Sequence, residues 1–146
     1  MVWIRFIEIK KAVNELLKKK YPYKIYGKEI KEDFETPSFF TEIIDKGSGI
    51  ETRNFAKGGF TVKIIYFQDE KSEEDQLKKV DEIKELFGMV FHVGSRYLTV
   101  GEYSHDFIGE YSDILQISVD FDYRENTVRE DTAEIAETLK TKITQG

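Results

Sequence analysis

Phe6, Ile9, Val13, Leu16 and Leu17 recur at three- and four-residue steps, with Lys10, Lys11, Asn14, Glu15, Lys18 and Lys19 between them. That spacing gathers the apolar side chains into one stripe and predicts an amphipathic helix over 4–20. Lys18, Lys19 and Lys20 fall in its last turn, where positive charge offsets the negative end of the helix dipole, and Pro22 prevents continuation. Two segments rich in aromatic and β-branched residues, 23–30 and 38–44, read as strands separated by Lys31-Glu32-Asp33 and Pro37. Asp45-Lys46-Gly47-Ser48-Gly49 has turn chemistry, and Glu51, Arg53 and Asn54 extend the expected loop, whose tip is expected to be mobile. From Phe60 to Phe67 polar and apolar positions alternate at first, then Ile65 and Phe67 make both faces apolar, as in a partly central third strand. Gly58-Gly59 reads as a bulge or bend at its start.

Ser72, followed by Glu73, Glu74 and Asp75, places a capping hydroxyl and three carboxylates at a helix start, where unpaired N–H groups favour negative charge. Leu77, Val80, Ile83, Leu86 and Phe87 form the expected buried stripe of this second helix, and Gly88 is suited to end it in a left-handed conformation. Segments 90–93, 96–103 and 107–123 then read as a strand meander, with breaks at Gly94-Ser95 and Ser104-His105-Asp106. Leu115, Ile117, Val119, Phe121 and Tyr123 alternate strictly with Gln116, Ser118, Asp120 and Asp122, so one face of this strand is wet. The segment 127–143 carries only a thin stripe, Val128, Ile135 and Leu139, and reads as a helix or an arm. Helix, strands, helix, strands is an α+β order: a mainly antiparallel sheet with two helices packed on one face, residues 1–124, and a C-terminal arm or helix, 125–146.

The chain has 146 residues, which suits one domain able to bury a core without disulfides or metal. It contains no cysteine, which excludes thiolate nucleophiles and thiolate zinc sites and suggests a reducing, intracellular site of synthesis. Apolar runs reach only three or four residues, far below the ~20 of a membrane-spanning helix. Arg5 and Glu8 interrupt the apolar N-terminal stretch, so it reads as mature protein rather than a signal peptide. The net charge of −6 argues against a dedicated nucleic-acid binder. It is unevenly spread: residues 1–31 hold nine Lys and Arg against three Glu, net +6, and the remainder is net −12. Solvated decoration accounts for such polarity, and so does contact between the basic end of one copy and the acidic part of another.

Candidate chemistry is sparse. The two histidines, His92 and His105, lack the further ligands of a metal site, and adjacent Ser104, His105 and Asp106 cannot adopt triad geometry. Gly58-Gly59 lacks the rest of a phosphate loop. Asp120 and Asp122 share a strand face about 7 Å apart, a carboxylate-pair spacing better explained by solvation. Lys18, Lys19, Lys20 and Lys24 with Tyr21, Tyr23 and Tyr26 mix base and ring as a nucleic-acid platform does, but helix capping and a sheet edge explain them. No catalytic, cofactor-binding or metal residue is assigned, and the profile suits a domain that works by making contacts.

One run of residues carries a resemblance. Tyr23-Lys24-Ile25-Tyr26-Gly27-Lys28-Glu29-Ile30, then Phe34, Pro37 and Phe39-Phe40, resembles the tail terminator (tail completion) proteins of tailed bacteriophages and prophage-like elements. Arg53-Asn54, the strand end Ile64-Ile65-Tyr66-Phe67 before the Ser72 helix, and the late strand ending Val119-Asp120-Phe121-Asp122-Tyr123 are similar to that family as well. Gln68 stands where the family commonly has Pro after Tyr-Phe, and the C-terminal arm is longer than expected. The resemblance covers about residues 6–124 and implies a structural protein, not an enzyme. It implies a ring, usually of six copies, on the head-proximal end of the tail tube, stopping polymerisation and offering a surface to the head–tail connector. DNA would only pass through its lumen, no membrane is involved, and the site of action is the virion tail, assembled in the bacterial cytoplasm. Candidate interface residues are Lys18, Lys19, Lys20, Gly47, Ser48, Gly49, Arg53, Asp120 and Asp122. The competing reading is a small acidic protein-binding module, such as another head-to-tail joining or regulatory protein.

Overall fold

A computed structural model describes residues 4–28 and 34–126. Helix α1 is Phe6–Lys20 and α2 is Glu73–Phe87; the strands are β1 Lys24–Tyr26, β2 Ser38–Ile50, β3 Phe55–Phe67, β4 Val90–Val93, β5 Arg96–Ile108 and β6 Ile114–Asn126. They form one six-stranded sheet in the order β1-β2-β3-β6-β5-β4. All neighbouring pairs are antiparallel except β1 with β2, which run parallel, so the sheet is mixed. The expected α+β class with a mainly antiparallel sheet and helices on one face holds in this broader form.

Period-two alternation builds the core. Phe60, Val62 and Ile64 of β3 stand opposite Phe121, Val119 and Ile117 of β6, and Phe39 of β2 stands opposite Tyr66. All of these sit on one sheet face and are buried against Ile9, Val13 and Leu17 of α1 and Val80, Ile83 and Phe87 of α2. Phe60 stacks on Phe121 with centroids 4.8 Å apart, and Phe91 joins Phe121 at 5.4 Å.

The helix ends follow local chemistry. Ser72 Oγ accepts the Asp75 N–H at 3.2 Å, and Gly88, at φ +65°, donates its N–H to the Lys84 carbonyl, as a helix-ending glycine should. Within α2 the expected stripe is rotated: Leu77 is 43% exposed, whereas Gln76 and Lys79 are buried. Gln76 turns inward because its Nε2 donates to the Asp113 carbonyl at 2.9 Å, and Lys79 because it enters a ring of tyrosines. On α1, Phe6 of the expected stripe is also partly exposed.

Several expected boundaries move. Asp45–Gly49 is not a loop: β2 continues through it to Ile50, pairing with β3 as far as Ala56, and the chain reverses at 51–54. The bulge lies here rather than at Gly58-Gly59, since Asp45 faces Phe60 and Ser48 faces Gly58, one extra residue on β2. Gly58 and Gly59 are interior to β3. Ser104-His105-Asp106 is not a turn but part of β5, opposite Ser118, Ile117 and Gln116. The turn falls later, at Gly109 (φ +93°) to Ser112 (φ +50°), and divides the expected long strand 107–123. The expected C-terminal helix or arm lies outside the described residues.

Candidate functional site

The alternation that buries one face of the sheet leaves the other, among the described residues, without a helix. Thr61 and Lys63 of β3, Ser118, Asp120 and Asp122 of β6, and Glu102 of β5 share that open face, since each is offset by one from a core position. Lys46 reaches it from the β2 bulge. Its Nζ lies 2.9 Å from Asp120 Oδ2 and 2.9 Å from Asp122 Oδ1, so one ammonium bridges the two carboxylates. Thr61 donates its hydroxyl to Asp120 Oδ1 at 2.6 Å.

Two glycines make this possible. Gly47 adopts φ +97° within the bulge and donates its N–H to Asp45 Oδ1 at 2.8 Å, a conformation that side chains rarely tolerate. At Gly59 a Cβ would stand 2.7 Å from Asp122 Oδ1, 2.9 Å from the Phe121 carbonyl and 3.4 Å from Lys46 Cε. The missing side chain is the space the Lys46 arm crosses. Gly47, Ser48, Gly49, Lys57, Gly58, Gly59 and Asp122 consequently line an open cleft beside Lys46.

Electrostatics follow from the contacts. Partial burial works against ionisation of Asp120, but the Thr61 hydroxyl and the Lys46 ammonium outweigh it and hold the carboxyl below its usual range. Hydrogen bonds to Asp122 and Asp120 raise Lys46 above the ordinary lysine value. Both shifts favour the charged forms of Lys46 and Asp120 near neutral pH. Replacing Lys46 with Met would leave two like charges about 7 Å apart on one face without their bridge. Because the groups are partly solvated, the expected loss of stability is only about 0.5–1.5 kcal/mol, read as a shifted urea midpoint with unchanged slope. A loss above that range would show the bridge to be structural rather than a surface feature.

The candidate residues divide between two regions. Gly47, Ser48, Gly49, Asp120 and Asp122 come together around Lys46, and Arg53 sits in the adjoining 51–54 turn, where Arg124 bonds Glu51 at 2.9 Å. Lys18, Lys19 and Lys20 do not join them. They end α1 beside Tyr21, whose ring contacts Phe39 near the start of β2, about 20 Å along the strand from the bulge. Lys46 itself and Thr61 escaped sequence reasoning, and only their pairing register could have revealed them. His92 and His105 meet aromatic edges, of Tyr97 and Phe107. Among the described residues no three histidine or carboxylate side chains converge to hold a metal ion, and no helix is long and apolar enough to cross a membrane.

A second polar cluster, also missed, ties the elements together. Asp75 accepts from Tyr66 Oη at 2.6 Å, Gln68 Nε2 at 3.0 Å and Lys79 Nζ at 3.0 Å. Lys79 Nζ lies 4.9 Å from the Tyr66 ring centroid, 5.4 Å from that of Tyr21 and 5.6 Å from that of Tyr23. Tyr21 donates to Glu82 at 2.7 Å. With every member partnered inside the fold, this cluster clamps α2 to the end of α1 and to β3.

A family model described as phage tail terminator protein matches residues 8–134. No curated protein matches the chain. One solved structure, titled only with a sequence label, aligns over 84% of this chain and 96% of its own, at a TM-score of 0.49 and 9% identity.

Proposed function

We propose that this chain, which belongs to the phage tail terminator family, closes the head-proximal end of the tail tube as a ring of six copies. It is a structural component of the virion tail and acts by contact with other tail components. The ring stops polymerisation of the tube protein and presents its upper surface to the head–tail connector. The observation that carries this reading is the family match, which covers every strand, all of α2 and all but the first two residues of α1.

The open sheet face supports it physically. Charged groups there are paired with one another, Lys46 with Asp120 and Asp122, and Lys28 with Glu42 at 3.4 Å, rather than gathered round a reacting atom. A face of this kind suits contact with a broad protein surface. Where acidic side chains line a ring's lumen, they repel DNA phosphates and let the genome pass without sticking. The test is genetic. Deleting the gene from its phage or prophage and imaging the particles by negative-stain electron microscopy should give overlong or variable tails without heads. Tails of normal length joined to heads would overturn the reading.

A further inference from the structure

Among the described residues, two strands carry long free edges. Strand β1 covers β2 only at Ser38–Phe40, so the outer edge of β2 has no strand beside it over 41–50 among the described residues. Strand β4 covers β5 only at Arg96–Thr99, and Val100 bonds the Met89 carbonyl, which among the described residues leaves 101–108 without a neighbouring strand. Backbone groups point out of both edges. Phe107 donates its N–H to the Asp106 carboxylate at 2.8 Å instead of to β6, so by ladder alternation Tyr103 and His105 also face away from β6. At β2, the Lys10 ammonium reaches the Thr41 carbonyl, which places Thr41, and by the same alternation Ile43, on the outer side. A row of outward backbone groups of this length, met by local side chains rather than by a strand, is a template for another strand.

We infer that the two edges pair with each other between copies, β5 of one subunit beside β2 of the next, so that the sheets join into one continuous antiparallel sheet around the ring. The inference rests on the ring reading above. Direction supports it: three successive antiparallel steps, β2 to β3 to β6 to β5, leave β5 running opposite to β2. A rotation about a ring axis preserves strand sense along that axis, so neighbouring edges meet antiparallel, the more stable arrangement. Length supports it, ten free residues against eight. Charge supports it too. Helix α1, which leans on the β2 edge through Lys10 and Asn14, holds five lysines against two glutamates. Helix α2, whose C-terminal Gly88 carbonyl receives the Tyr103 hydroxyl of β5 at 2.5 Å, holds six carboxylates against three lysines, and the free β5 stretch adds Glu102 and Asp106. A basic flank thus meets an acidic one. Ile7, 62% exposed on α1, and Leu77, exposed on α2, add apolar surface to the two helices.

The absence of cysteine makes the test clean. Ile44→Cys on the open face of β2 is combined in turn with Glu102→Cys, Ser104→Cys or Asp106→Cys on the same face of β5. Each double variant is expressed in cells carrying the deletion phage, so that tail tubes are present, and the lysate is oxidised. At one of the three registers, non-reducing gels should show a ladder extending past the dimer to six copies. The linked fraction should rise at least about tenfold over either single variant, because a disulfide accepts only Cα pairs ~4.4–6.8 Å apart. A ladder that stops at the dimer, or none at any register, overturns edge pairing. The outcome is separable from the capping reading. A ladder alongside tails of normal length in the deletion phage sinks the capping role and leaves the pairing. Overlong deletion tails with no ladder sink the pairing and leave the cap. His105→Pro, which removes an outward N–H that β6 does not use, should stay folded by circular dichroism yet fail to shorten the deletion tails, whereas His105→Ala should restore them. Equal restoration by both overturns the inference.

Discussion

Phe60→Ala should lower the unfolding free energy by about 3–5 kcal/mol, the largest effect expected of a single truncation in this fold. Phe60 has no solvent exposure and stands in the core between the sheet and α1. Its ring stacks on Phe121 at 4.8 Å, approaches Phe6 of α1 at 6.3 Å and lies 6.4 Å from Tyr123. Removing it loses the transfer energy of a buried ring and opens a cavity that neighbouring sheet positions cannot collapse to fill, because β3 is held by β2 on one side and β6 on the other. For a domain of this size the corresponding fall in melting temperature is roughly 10 °C. Phe67→Ala is the control: that ring packs on Phe34 at 4.6 Å and is only half-buried, so its loss should cost clearly less. Urea denaturation of both variants checks the ordering. Equal costs would mean that the Phe60–Phe121 stack is not the centre of the core.

Asp75→Asn should both weaken the protein at neutral pH and flatten its acid limb. Partial burial disfavours the Asp75 carboxylate, but hydrogen bonds from Tyr66, Gln68 and Lys79 outweigh this and bring its pKa down to about 2. A carboxyl depressed in the folded state stabilises when ionised. Its contribution is therefore complete above the unfolded value near 4 and is lost as pH falls towards 2. Since the side chain is about one-third exposed, solvent screening reduces the contribution to about 1–2 kcal/mol. The variant also leaves the Lys79 ammonium, 7% exposed, without its anion among three tyrosine rings. The total loss expected at pH 7 is about 1–3 kcal/mol. Stability curves from pH 7 to pH 2 check both effects, and parallel curves for wild type and variant would refute the assignment. At the alkaline end the sign reverses. Burial and the Asp75 hydrogen bond raise the Tyr66 hydroxyl well above its usual range, so its contribution is present below about pH 10 and lost above it. Tyr66→Phe should flatten that limb.

Both helices were legible in the sequence because their signals are local. Apolar residues at three- and four-residue steps, Pro22 after α1, and Ser72 and Gly88 around α2 act within one or two turns, and the structure places the helices there. The strict alternation from Leu115 to Tyr123 likewise marked β6 and its buried side. The misread segments share a different cause. Gly47, Ser48 and Gly49 have the composition of a loop, yet β3 continues alongside them to Ala56 and extends β2 through a bulge. Ser104-His105-Asp106 looks like a turn until Ser118, Ile117 and Gln116 of β6 are set beside it. Strand pairing is a contact with a distant partner, and composition reports only on neighbours in the chain.

The same distinction runs through the candidate site. Asp120 and Asp122 could be placed on one wet face by period-two alternation alone, but Lys46 meets them across 74 and 76 residues. That meeting depends on the register of β3 with β6 and on the extra residue in β2, neither of which leaves a local trace. The family too could be recognised from Tyr26-Gly27, Phe34, Pro37 and Phe39-Phe40, all close in sequence. The sequence by itself determined the α+β class, both helices, the buried side of β6, the polarity of charge and the kinship with tail terminators, because each is written in spacing or in adjacent residues. Only the tertiary structure decided the parallel β1, the bulge, the Lys46 bridge and the two strand edges left open among the described residues, because these arise where residues far apart in the chain are brought side by side.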